Sequence, residues 1–202
     1  MQFYITNSIP LNATFTDEDG QATYKTQTPF KFFADKTTTV SRVLHTNNVA
    51  SDDISRKGGD NQGQLVKLAE IEWKNDVSLS RFKYREKDVV IGEFFYKGKQ
   101  GWRGKDRVFT SFDGQEYRWR MNATYALLTL QDHHRTQIAR YEPEEPQLIG
   151  KSKKATLEIY PEGEHMVDTI IVSFVYMEKL RKERDRDARA GVGDPVKGLE
   201  DD

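Results

Sequence analysis

Residues 162–186, EGEHMVDTIIVSFVYMEKLRKERDR, decide the fold. They spell a long helix at the end of a chain that otherwise reads as strand and turn. Glu162, Glu164 and Asp168 set carboxylates at the positive end of that helix, where the macrodipole favours them. Met166, Val167, Ile170, Ile171, Val172, Phe174, Val175, Met177 and Leu180 point in nearly every direction at roughly 100° per residue. Asp168, Thr169 and Ser173 interrupt them. A helix with one apolar stripe can lie on an open sheet, but one apolar all round needs walls on every side. A closed antiparallel barrel supplies such walls and removes the sheet edges. The densest apolar run, Met166–Met177, extends only about 18 Å as a helix, against about 30 Å of bilayer hydrocarbon. It therefore reads as a buried core helix and not as a membrane span. Beyond Met177 the text turns to EKLRKERDRDAR, with mixed charges that pair at helical spacing, and this half is expected to emerge into solvent.

Working back from the helix, strand-like segments fill the chain to about residue 160. They are Gln2–Thr6, Leu11–Thr16, Ala22–Thr28, Pro29–Phe33, Thr37–Leu44, Leu65–Trp73, Val77–Phe82, Asp88–Ile91, Glu93–Lys97, Arg107–Phe112, Gln115–Arg120, Ala126–Gln131, Gln137–Tyr141 and Ala155–Tyr160. Leu65, Lys67, Ala69, Ile71 and Trp73 alternate along one face that is expected to point inward. Asp17–Gly20 reads as a turn, and Asp113-Gly114 as a two-residue hairpin. Thr46–Gln64 is polar and Gly-rich without periodicity, which reads as a mobile loop. The expected fold is mainly β: a closed or nearly closed antiparallel β-barrel of about 12 strands with the hydrophobic helix through its centre. Residues 1–186 form one domain with the helix at about 165–186, and 187–202 read as a disordered charged tail.

The bulk composition narrows the chemistry. Lys plus Arg is 31 and Asp plus Glu is 32, so no global basic excess points to nucleic acid. There are no cysteines, which removes disulfides, thiolate nucleophiles and cysteine metal sites. The first 15 residues, MQFYITNSIPLNATF, lack a cationic start and a continuous apolar core, so no signal peptide is read. Cytoplasmic localisation is the expectation, and the sequons at Asn12 and Asn122 carry no weight there. No G-x-S-x-G, H-E-x-x-H or phosphate-binding P-loop motif is present. No cofactor is expected.

Four stretches carry a family resemblance: Leu157–Arg186, Thr37–Val40, Ala69-Glu-Ile-Glu-Trp73 and Phe112-Asp-Gly-Gln-Glu-Tyr-Arg-Trp119. Together they resemble a fungal domain family of unknown function, abundant in mushroom-forming fungi, over most of residues 10–186. The pattern also looks like the tubby and LURP-one group, in which a β-barrel encloses a C-terminal hydrophobic helix. That second likeness is one of architecture, so function carries over from it poorly.

The strongest binding candidate is KGKQGWRGKDR at 97–107. Lys97, Lys99, Arg103, Lys105 and Arg107 supply cations, Asp106 alone opposes them, and Trp102 sits at the centre between glycines. Convergent cations and accessible N–H groups suit phosphate recognition, and the likeness to the tubby group implies phosphoinositide headgroups. The bland alternative is a solvated basic hairpin loop. Lys151, Lys153 and Lys154 form a smaller cluster that reads as a solubilising loop. His133 and His134 beside Asp132 suggest metal, yet neighbours on a strand diverge to opposite faces, and a turn is the simpler reading. Glu142, Glu144, Glu145, Glu162 and Glu164 fall in loops and read as solvated. Trp73 belongs to the core. His165 and Asp168, at the mouth of the buried helix, read as helix caps, with a polar site as the alternative. Three functions stay open: a non-enzymatic binding module for anionic phospholipid or phosphate-bearing ligands; a protein-interaction scaffold using the 46–64 loop and the charged helix end; and an enzyme with a barrel-mouth pocket, which no motif supports.

Overall fold

A computed structural model of the chain describes residues 1–7, 10–30, 36–45, 63–97, 106–122, 124–144 and 153–191. Thirteen strands are formed among them: β1 Gln2–Ile5, β2 Thr14–Thr16, β3 Ala22–Gln27, β4 Lys36–Leu44, β5 Gln64–Trp73, β6 Arg81–Tyr84, β7 Lys87–Val90, β8 Tyr96–Lys97, β9 Arg107–Thr110, β10 Glu116–Met121, β11 Ala126–Leu130, β12 Gln137–Glu142 and β13 Ala155–Ile159. The helices are α1, Ile91–Phe94, and α2, Val167–Gly191. All thirteen strands belong to one antiparallel sheet of order β7-β6-β5-β4-β3-β2-β1-β13-β12-β11-β10-β9-β8. The chain thus makes two meanders joined where β1 pairs with β13, Phe3 opposite Leu157.

The sheet is not closed by hydrogen bonds, because β7 and β8 stand at its two ends and do not pair. The segment Glu93–Lys97, expected as a strand, instead begins with the short helix α1. A strand would send Phe94 and Phe95 to opposite faces. One helical turn, closed by Phe95 N–H donating to the Ile91 carbonyl, lets both join a cluster that bridges the gap. Phe94 lies 4.9 Å from Phe82 of β6 and 5.8 Å from Phe109 of β9, centroid to centroid. Phe95 lies 5.5 Å from Phe109 and stacks at 4.5 Å on Tyr176 of α2. Aromatic side chains fill the seam where backbone pairing stops.

Helix α2 is buried from Ile170 to Glu178 without a break. Strands from both halves of the sheet touch it: Phe15 of β2, Tyr24 of β3, Tyr84 of β6, Trp119 of β10 and Tyr141 of β12. The sheet therefore wraps around the helix. Burial runs further than the charge pattern implies, since Glu178 is 2% and Leu180 9% exposed. The helix also continues to Gly191, past the expected end at 186.

Three further expectations change. The Asp113-Gly114 hairpin has a three-residue loop, closed by Ser111 N–H to the Gln115 carbonyl, with Gly114 at φ +78°. That is a type I turn followed by a left-handed residue, where glycine escapes the Cβ penalty. In β5 the inward alternation holds for Ala69, Ile71 and Trp73, while Leu65 and Lys67 are exposed. A bulge opposite Val40–Ser41 breaks the register there, and the outer parts of β4 and β5 project as a ribbon. Of Pro29–Phe33, the described residues 29 and 30 are not strand. Most of Thr46–Gln64 and residues 192–202 lie outside the described residues.

Candidate functional site

Strands β8 and β9 close a hairpin in which Lys97 is paired with Arg107. This fixes where the basic loop springs from: the rim at which α2 leaves the sheet. Lys99, Trp102, Arg103 and Lys105 lie outside the described residues. Arg107 is 8% exposed, and its Nη1 donates to the Asp106 carbonyl at 3.0 Å. It stands opposite Trp119 in the β9–β10 register and interacts with Tyr176 and Arg184 of α2.

The β10 alternation turns Tyr117, Trp119 and Met121 inward and leaves Arg118 and Arg120 on the other face. Arg118 Nη1 and Arg120 Nε reach Asp106 Oδ2 at 3.8 and 3.9 Å. These separations are ion-pair contacts, too long for hydrogen bonds. Burial holds the Asp106 carboxyl above its ordinary range even though Arg118, Arg120, Arg107 and Arg184 all pull it down. Burial and then the neighbouring Arg107 push the Arg184 guanidinium down. Among the described residues four arginines thus act on Asp106 at the base of the loop. Glu183 pairs with Lys179 at 2.7 Å, and Glu116 accepts the Tyr96 hydroxyl. Arg118 and Arg120 were legible in principle. The turn at Asp113-Gly114 folds β9 onto β10, and simple counting brings Arg118 and Arg120 beside Asp106. Arg184 carried no such signal.

The opposite rim, where α2 begins, holds the other polar candidates. Asp168 Oδ1 accepts the Tyr24 hydroxyl at 2.8 Å and pairs with Arg42. Burial, and then Asp168, push the Tyr24 phenol up. A cavity of about 620 Å³ lies here, lined by Asp17, Glu18, Tyr24, Arg42, Arg85 and Asp168 among others. His165 pairs with Asp113 Oδ2 at 3.2 Å. His165 and Asp168 therefore tie the helix start to β3, β4 and the β9–β10 turn.

The remaining candidates are local structure. Asp132 accepts the Thr136 N–H at 2.9 Å and its hydroxyl at 2.6 Å. His133 and His134 are exposed in that turn. Among the described residues no group of three His, Cys, Asp or Glu side chains could hold a metal ion. Glu142 binds Lys153 and Arg140 at 2.6 and 2.9 Å, and Lys151 and Glu145 lie outside the described residues. Trp73 is buried and donates its indole N–H to Thr38. No helix among the described residues is long and apolar enough to cross a membrane.

No curated protein and no solved structure matches the chain. One family does, over residues 8–183, a span that takes in β2 to β13 and the buried length of α2. The chain belongs to the family of unknown function DUF6593.

Proposed function

We propose that the chain is a non-enzymatic binding module for anionic phospholipid headgroups, engaged through the 97–107 loop and the arginines at its base. The observation that carries this reading is the Lys97–Arg107 pair. It anchors the two ends of the basic loop beside Arg118 and Arg120, which stand at ion-pair distance from Asp106, and near Arg184, which also acts on that aspartate. Each Lys or Arg near an anionic bilayer contributes about 1 kcal/mol, so a cluster of this size binds without any deep pocket. A nearly closed barrel of the tubby and LURP-one kind, of fungal origin as the resemblance implies, fits the same reading. A helix that fills the interior leaves rims and loops for recognition.

The test is flotation of the full chain with phosphatidylcholine vesicles containing or lacking a phosphoinositide, at low and high salt. Binding should require the anionic lipid, weaken as salt screens it, and fall when Lys99, Arg103 and Lys105 are changed together to Ala. Absence of binding at low salt, or binding unchanged by that charge removal, sinks the proposal.

A second reading, a protein-interaction scaffold, draws on the projecting β4–β5 ribbon. Leu44, Leu65 and Val66 are 42%, 44% and 38% exposed there, beside the 46–62 segment. Pull-downs comparing the full chain with one lacking 46–62 test it, and identical partner lists count against it.

A further inference from the structure

We propose that the cleft at the unpaired seam between β7 and the β8–β9 hairpin is a separate binding site for a small amphipathic acid, independent of the basic loop. The cleft has a volume of about 600 Å³ and is lined by Tyr84, Arg85, Glu86, Lys87, Phe94, Thr110, Ser111, Phe112 and Thr169. That size falls in the range of small-molecule sites, roughly 300–1,000 Å³.

Its cations are held out for a ligand. Arg85 lies with its guanidinium 4.4 Å from the Phe112 ring centre and 5.5 Å from that of Tyr84. Its Nε donates to the Tyr84 hydroxyl at 3.3 Å. Lys87 Nζ lies 5.2 Å from the Phe94 ring centre. Among the described residues neither side chain makes a direct ion pair with a carboxylate; Glu86 shares the wall, and Asp168 across the neighbouring cavity acts on Arg85 only at longer range. Both cations rest on aromatic faces, which orient them without neutralising them. Arg85 also adopts φ +54° in the two-residue turn between β6 and β7, a conformation that glycine takes more easily. The two-residue hairpin turn itself requires the positive φ and so fixes where the Arg85 side chain starts.

The inner wall supplies hydroxyls. Tyr84 and Thr169 are bonded to each other at 2.8 Å. Ser111 is 7% exposed, and its hydroxyl has no partner among the described residues. A buried polar group left so is uncommon and calls for a reason. A further groove of about 370 Å³ continues along the seam past Val89, Phe94 and Tyr96. It exists because the sheet ends unpaired. The arrangement suits a carboxylate forked by Arg85, approached by Lys87, with a flat aryl or acyl body along Phe94, Phe112 and the groove.

The experiment is equilibrium binding of dansylaminoundecanoate to the full chain by fluorescence, with oleate, methyl oleate and inorganic phosphate as competitors. Oleate should displace the probe, while methyl oleate and phosphate should not. Arg85→Gly removes the guanidinium at a backbone position that glycine adopts readily, and its urea midpoint, measured alongside, reports any loss of fold; it should weaken binding about tenfold or more, the worth of a charge-assisted pair. Lys67→Ala, at a distant exposed lysine, should bind as wild type. No binding of the probe, equal competition by the ester, displacement by phosphate alone, or wild-type affinity in Arg85→Gly overturns the proposal. Vesicle flotation of Arg85→Gly should match wild type, so failure here and failure of the headgroup reading are separate results.

Discussion

The indole N–H of Trp119 donates a 3.0 Å hydrogen bond to Ser173 Oγ in the middle of the buried helix. The other polar groups of α2's buried length follow the same pattern. Asp168 takes Tyr24, Thr169 takes Tyr84, and Glu178 takes Tyr141, from β3, β6 and β12. Four polar positions thus meet four aromatic partners on four strands, and together they fix the helix's rotation within the sheet. Apolar packing alone would tolerate a turned helix, whereas a mispaired buried donor would not be tolerated. Ser173→Ala should therefore cost about 1–3 kcal/mol, the penalty of an unpaired buried donor. In a Trp119→Phe background the same change should cost less. Urea denaturation of the four proteins measures the coupling, and equal losses in both backgrounds would refute it.

Glu178 is the most consequential charge in the fold. It is 2% exposed and is gripped by Arg181 through Nε and Nη2, both at 2.6 Å. Glu178→Ala leaves Arg181, whose side chain is 16% exposed, only the half-exposed Asp185 at 3.1 Å as partner, and should destabilise by about 3 kcal/mol. Replacing both residues with Leu should cost much less, because no uncompensated charge remains. Denaturation midpoints of the two variants separate the cases, and equal destabilisation would argue against a desolvated pair.

The buried helix and the run of strands around it were legible because they rest on periodicity and local composition. Glu178 misled, since EKLRKE reads as solvated by any local rule; its burial depends on how far β12 extends along the helix, which only Tyr141 reveals. Phe94-Phe95 misled in the opposite way. Two β-prone aromatics became a helical turn because the seam needs both on one side. The arginines at the rim come from β10 and α2, remote in sequence from the loop they support. Arg85 and Ser111 gave no signal at all, since their meaning depends on a gap in pairing.

Acid should loosen the turn that joins β9 and β10 to the helix start. Burial pushes the Asp113 carboxyl up, but hydrogen bonds from Tyr117, the Gln115 N–H and His165 together hold it below its ordinary range. A carboxyl lowered in the folded state contributes stability that is present above its unfolded value, about 3.9, and is lost as pH falls through the folded one. Asp113→Asn should flatten the stability profile below about pH 4 and lower stability at neutral pH. Urea midpoints across pH 2–7 check this, and an unchanged acid limb would exclude Asp113 as a contributor.

Ile171 is fully buried in α2. Ile171→Asp should unfold the domain, because the cavity term of about 2–5 kcal/mol adds to burial of a carboxyl within a total stability of about 5–15 kcal/mol. Far-UV circular dichroism and proteolysis read the outcome. A stably folded variant would refute the enclosed-helix architecture.

Gly163 tests the entry into that helix. The chain turns there through a 3-10 segment, Pro161–Met166, which leads directly into α2. A Cβ added at Gly163 would stand 2.8 Å from the Ile138 carbonyl oxygen and 2.9 Å from Ile138 Cγ2. The carbonyl cannot simply retreat, since it accepts the Tyr160 N–H at 3.0 Å and so holds the turn against β12. Gly163 N–H in turn donates to the Tyr160 carbonyl at 2.8 Å. Gly163→Ala must therefore displace backbone on one side or the other and should cost about 1–3 kcal/mol, the range for overpacked sites. Proline at 161 prevents the turn from relaxing freely, because its ring fixes φ. The loss should appear as a lower denaturation midpoint with an unchanged denaturant slope, which marks altered stability without altered compactness. A midpoint equal to wild type would mean the helix entry can shift, and that the four aromatic partners do not fix α2 as tightly as their distances imply.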